Sequence, residues 1–153
     1  MTSGTLIALD LAPQICAAIT RRGQILPDDV GILSYLPKSD SRLSESEVDA
    51  LGALARARLP ACPDWGRFFA ENVGAWYLDA FASRAPDRAQ AQWLIDYLGG
   101  EGAELTTAQF RLLMQVMENL ESCPDELLSF ARACLVRAMG AEIESRRGQV
   151  GKA

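Results

Sequence analysis

The chain contains no histidine, so the commonest general base and the commonest nitrogen ligand for a metal are both missing. What remains for chemistry is four cysteines (Cys16, Cys62, Cys123 and Cys134), two lysines (Lys38 and Lys152), and carboxylates. No two cysteines stand as C-x-x-C, and with no histidine to complete a zinc set they read as buried thiols in a reducing compartment. Cys62 and Cys123 each precede a Pro-Asp pair at the expected start of a helix, where the helix dipole can lower a thiol pKa. Both lysines stand in polar surroundings, and the pairs Asp28 with Asp29 and Glu142 with Glu144 read as solvated helix faces. The expectation is no catalytic residue, no cofactor-binding residue and no enzyme.

One acidic constellation deserves weighing. Asp40 and Glu47 flank a turn, Asp40-Ser41-Arg42-Leu43-Ser44-Glu45-Ser46-Glu47. As metal ligands they would need further oxygens from Glu45, a backbone carbonyl or water. As structure, Asp40 caps the turn and Glu47 closes a capping box with Ser44, its side chain reaching back to the cap's own N–H. An EF-hand calcium loop needs oxygen ligands at most of its alternate positions. At the side-chain ligand positions of such a loop, the window from Leu36 to Glu47 supplies acids only at Asp40 and Glu47, and the window from Leu98 to Gln109 supplies none, so tight EF-hand binding is not expected. A divalent cation at Asp40 and Glu47 is therefore the alternative reading.

The elements that must position these residues are helices. Pro13, Pro27, Pro63, Pro86 and Pro124 each precede an amphipathic run, and four of them are followed directly by aspartate, which favours the positive end of a helix dipole. Pro37 and Pro60 stop the segments before them. This punctuation predicts an all-α bundle of about seven helices, near 13–22, 27–36, 45–59, 64–82, 87–98, 107–121 and 125–144. Residues 5–22 admit a second reading, a hairpin pairing Leu6-Ile7-Ala8-Leu9 with Ile15–Ile19. Trp65, Phe68, Phe69, Val73 and Trp76 lie close to one face of the fourth helix, which makes it the core strut, since aromatics at helical spacing usually pack. Asn72 on that side needs a hydrogen-bond partner.

The chain also repeats itself. The stretch from Trp93 through Gly99, Gly100 and Gly102 to Phe110 matches the stretch from Ile32 through Pro37 and Ser41 to Val48. Both bring a tyrosine (Tyr97, Tyr35) to a helix end. Both then offer a capping box, Thr106 with Gln109 and Ser44 with Glu47, and a hydrophobic staple, Leu105 with Phe110 and Leu43 with Val48. This predicts two pseudo-repeated helix-turn-helix units, at about 24–82 and 87–140, within one domain over 1–145, followed by a flexible polar tail over 146–153.

At 153 residues a single domain buries roughly 68 to 70% of its unfolded surface, enough to fold without a metal or disulfide staple. Against 15 Lys and Arg stand 20 Asp and Glu, a net charge of −5. That charge opposes phosphate backbones and anionic lipid, so nucleic acid is not an expected partner. Leu6-Ile7-Ala8-Leu9 is cut by Asp10 and has no basic residue before it, which is not the pattern of a signal peptide. No apolar run approaches the roughly 18 residues a membrane span needs. A cytoplasmic location is expected, with no membrane insertion.

The Asp40–Glu47 turn, repeated in weakened form in an all-helical chain, resembles the TerB-like (tellurite resistance protein B-like) family of bacterial proteins. Asp40-Ser41-Arg42-Leu43 followed by Glu47 fits the family's Asp-Gly-x-Ile-x-x-x-Glu pattern, with Ser41 in place of glycine. The second turn, Gly102 to Gln109, keeps the apolar residue and the cap and lacks both carboxylates. The resemblance spans about residues 24–140 and implies a bundle of pseudo-repeated units. It further implies a bacterial cytoplasmic protein linked to stress or metal resistance, acting through divalent-ion or protein contacts. The function expected is a noncatalytic helical domain that binds a protein partner or itself, which requires an exposed apolar patch.

Overall fold

A computed structural model describes residues 11–35, 43–80 and 85–150, with side chains as far as Gly140. Seven helices form among them: α1 (Leu11–Arg22), α2 (Pro27–Leu33), α3 (Glu45–Arg56), α4 (Pro63–Ala80), α5 (Arg88–Tyr97), α6 (Thr107–Asn119) and α7 (Asp125–Val150). No strand forms among the described residues, and a single parallel bridge pairs Ile25 with Ala61. The all-α expectation holds.

The helix starts obey the capping chemistry. Ser44 Oγ accepts from the Glu47 N–H at 3.1 Å, and Glu47 Oε1 accepts from the Ser44 N–H at 2.7 Å. Thr106 and Gln109 make the same reciprocal pair. Asp87 and Gln90 make a third such pair, which the proline-aspartate pattern had suggested only as a first-turn charge. Gly99, Gly100 and Gly102 all take positive φ, so the turn between α5 and α6 needs residues without a Cβ.

The largest departures from expectation lie toward the two ends of the chain. Pro13 lies inside the first turn of α1, where its missing N–H costs nothing. The hairpin reading of 15–19 is replaced by helix, while residues 1–10 lie outside the described residues. At the other end α7 does not stop near 144 but runs on to Val150, through residues 146–150 that were expected to form a tail. Loss of an apolar face ends a helix's packing, not its backbone hydrogen bonds, and nothing between Ser145 and Val150 is a strong breaker.

The core centres on α4, which packs along α6 and against α2, while α1 lies on α3 and α5 on α7. Phe69, Val73 and Tyr77 of α4 are fully enclosed, each contributing very roughly 1.5 to 3 kcal/mol by burial. Asn72 is satisfied within α4, donating to the Phe68 carbonyl at 2.8 Å. A file of rings crosses from α4 to α5. Trp76 and Trp93 have centroids 5.3 Å apart, Trp93 and Tyr97 4.8 Å, Phe69 and Tyr97 6.3 Å, and Trp65 and Phe69 5.3 Å. Such spacing is that of offset and tilted aromatic pairs.

Tyr97 joins this file to α3. Its hydroxyl donates to the Val48 carbonyl at 2.6 Å, and its ring passes over Gly52, where a Cβ would lie 2.4 Å from Cε1. Arg56 closes the contact, donating from Nη1 to the Tyr97 carbonyl at 2.8 Å with its guanidinium carbon 5.7 Å from the ring centroid. The tyrosine matched to it in the sequence, Tyr35, is exposed in the turn after α2. A capping box opens the helix after each turn, but Tyr97 is enclosed where Tyr35 is exposed, so the tyrosine match in the sequence does not carry into the fold, and residues 36–42 of the first turn lie outside the described residues.

Glycine to alanine inside a helix ordinarily stabilises by about 0.5 to 1 kcal/mol. At Gly52 the clash with a fully packed ring should outweigh that, so Gly52→Ala is expected to destabilise by about 1 to 3 kcal/mol in urea unfolding. In a Tyr97→Leu background the same change should become neutral or stabilising. Additive effects of the two substitutions would show that the ring and the notch are not coupled.

Candidate functional site

Of the residues weighed for chemistry, Lys38 and Lys152 lie outside the described residues. Asp40 lies outside the described residues. Glu47, its expected partner in holding a cation, has one carboxylate oxygen engaged by the Ser44 N–H. Among the described residues no group of three metal-ligating side chains comes together.

Asp29 corrects the reading of Asp28 and Asp29 as a solvated pair. It is buried, pairs with Arg22, and accepts the Leu26 N–H at 2.7 Å at the start of α2. Burial pushes its carboxyl up, but the Arg22 hydrogen bond, the Leu26 N–H and the Arg22 charge together outweigh burial and hold it below its ordinary value of 3.8. The signal missed was Arg22, the last residue of α1, which meets Asp29 only because the chain turns between α1 and α2.

All four cysteines are free thiols. Burial pushes Cys16 up to about 11, and burial, only partly offset by Arg137, raises Cys134. Cys123 departs from the expectation of a dipole-lowered thiol: burial and then the Asp125 carboxylate raise it. Its sulfur sits 3.7 Å from Met117 Sδ, an apolar setting that favours the neutral form. Cys62 occupies the position before Pro63, where its carbonyl accepts the Trp65 N–H at 3.1 Å. Both Cys-Pro-Asp segments stand at helix starts.

What the fold does present is surface. Beyond Cys134 no side chain of α7 as far as Gly140 is buried, and Leu135, Val136 and Met139 are 44%, 68% and 54% exposed. Spaced by one, three and four residues, they share a face. From Leu135 to Val150 the helix extends about 24 Å at 1.5 Å per residue. Its one described tie to the bundle in this half is Arg137 Nη1 to the Ala103 carbonyl, 3.0 Å. Ile32 in the last turn of the short α2 and Tyr35 just after it are a second exposed pair of large side chains.

A second feature is a cleft of about 640 Å³ where the end of α3, the start of α4 and the start of α6 meet. Ile25, Leu59, Trp65 and Leu105 supply apolar walls, and Arg58 and Arg111 are the charged residues that line it. Sequence reading missed both arginines, because they sit far apart in the chain and only the turn after α3 and the entry of α6 bring them together. A shallower groove of about 800 Å³ runs between α1 and α3, floored by small side chains such as Ala17, Ala50 and Ala53.

Compared with known proteins, the chain matches no family model, no curated protein and no solved structure. No helix among the described residues is long and apolar enough to cross a membrane.

Two measurements probe these placements. Asp29→Asn should lower stability by roughly 1 kcal/mol at neutral pH. Because the folded carboxyl titrates below 3.8, its contribution is complete above that value and is lost as pH falls through the lower folded value, so the wild-type advantage should shrink only in acid. In the second, Cys16, Cys123 and Cys134 should react slowly with a disulfide reagent at neutral pH in the native protein and rapidly after unfolding. A fast native phase assigned to any of the three would contradict their placement.

Proposed function

We propose that the protein is a noncatalytic helical interaction domain that engages a protein partner, or a second copy of itself, through the outer half of α7. The observation that carries this reading is the shared exposed face of Leu135, Val136 and Met139. Three large apolar side chains on a helix that has left its own core, each about half exposed, are hydrated at a cost of roughly 1 kcal/mol each relative to full burial. A partner surface that covered them would recover much of that, in the manner of an amphipathic helix laid in a groove. The raised thiols of Cys16, Cys123 and Cys134 and the helix-capping use of Glu47 support a noncatalytic role, since they speak against those three as nucleophiles, and among the described residues no ligand set is assembled.

Kinship with the TerB-like proteins, and with it a link to stress or metal resistance in a bacterial cytoplasm, belongs to the same proposal and rests on the Asp40–Glu47 turn motif. On this reading the motif's glutamate serves the helix start.

The test is a photo-crosslinking amino acid at position 136 or 139 in the full chain, combined with sedimentation over a wide concentration range. The expected result is one discrete crosslinked species, either a dimer or a single partner, that disappears in a Val136→Asp, Met139→Asp variant of unchanged helicity. A monomer at all concentrations with no discrete crosslink in cell extract would overturn the proposal.

A further inference from the structure

The cleft between α3, α4 and α6 combines features that the interaction reading does not use. Its two charged lining residues are both arginines, in a protein whose net charge is −5. No carboxylate of the described residues pairs with either. Arg58 is anchored by one hydrogen bond, from Nη1 to the Glu104 carbonyl at 2.6 Å, which holds the group in place without neutralising it. A guanidinium has five N–H donors, so most of them stay unspent.

Arg111 lies across the first turn of α4. The point where a Cβ on Gly66 would stand is 3.5 Å from Arg111 Nη1 and 3.6 Å from its Cδ. The guanidinium therefore sits at the positive end of the α4 dipole, while its own helix, α6, opens onto the same cleft at Thr107 and Ala108. The N–H groups of those two residues have no acceptor within the helix. Asp64 answers the α4 start from its first turn, whereas the first turn of α6 holds no acid; two guanidinium groups and the α6 start thus bring positive charge to one cleft, an arrangement that an anion would relieve. Trp65, Leu105, Leu59 and Ile25 line the same cleft, an apolar surface far larger than a bare inorganic ion would need. The volume lies in the range of small-molecule pockets.

We propose that this cleft binds a small amphipathic organic anion, a carboxylate or phosphate monoester carried on an aromatic or aliphatic body. The anionic group sits between Arg58, Arg111 and the α6 start, where planar guanidinium donors suit its oxygens. The body packs on Trp65 and Leu105. This site is separate from the outer half of α7, so the two readings stand or fall apart.

The experiment uses the full chain with phenyl phosphate, benzoate, inorganic phosphate and benzyl alcohol, by titration calorimetry and by amide shifts at Thr107 and Ala108. Phenyl phosphate or benzoate should bind and shift those amides, the stronger of the two identifying the preferred head group, and binding should weaken with added salt. Arg58→Gly removes one guanidinium at a residue whose φ of 57° glycine adopts freely, so the backbone is retained. Arg111→Gln removes the other. Each is expected to weaken binding about tenfold with the unfolding midpoint of the free protein little changed. Inorganic phosphate binding as tightly as phenyl phosphate would overturn the amphipathic ligand. Benzyl alcohol binding as tightly would overturn the anion, and so would arginine variants that bind like the wild type. Absence of binding by both aromatic anions, or shifts confined to other parts of the bundle, would overturn the site itself.

Discussion

A phenol ring resting in the notch of a missing methyl group sets the geometry of this bundle. Tyr97 fits over Gly52 and delivers its hydroxyl to Val48, whose carbonyl is also the one that closes the helical turn to Gly52. Close approach and hydrogen bond depend on one another: a side chain at 52 would lift the ring, and a lifted ring would leave a buried hydroxyl to find another acceptor. The ring is in turn the middle of the aromatic file from Trp76 to Trp65, so the register of α5 on α3 also fixes how α4 meets both. Arg56 then seals the edge by holding the carbonyl of the same tyrosine.

Much of this architecture was legible in the residues because helix boundaries are local chemistry. Proline and aspartate, serine and glutamate, threonine and glutamine declare a helix start within four residues, and the structure puts Ser44 and Thr106 where their capping boxes require. The role of α4 as the strut was equally visible, since Phe69, Val73 and Tyr77 fall on one face by spacing alone. What stayed hidden depends on long-range contacts. Nothing near Tyr97 announces Gly52, nothing near Asp29 announces Arg22 as its counter-charge, and the sequence likeness of Tyr35 to Tyr97 conceals opposite fates, one exposed and the other enclosed. The extent of α7 was misjudged for a related reason: amphipathicity reports packing, and a helix continues where its packing has ceased.

The electrostatic plan shows the same division between local and distant causes. Along the chain acids exceed bases, which by itself argues against anionic ligands. Folding redistributes that charge. Asp29 is committed to Arg22 and Glu126 to Arg88, the latter joined at 2.7 Å on the surface between α5 and α7, while Arg58 and Arg111 line one cleft and pair with no carboxylate of the described residues. Net charge governs behaviour beyond a Debye length, but within a cleft the nearest few groups decide.

The edge of that cleft is laced by main chain. Ile25 donates its N–H to the Pro60 carbonyl at 2.9 Å, and the Cys62 N–H returns to the Ile25 carbonyl at 3.0 Å. Because this stitch uses no side-chain atoms, its hydrogen bonds are indifferent to which residues occupy the three positions, provided those at 25 and 62 keep an N–H. The opening can therefore keep its outline while wall residues drift, so that selectivity is free to diverge on a frame that stays put.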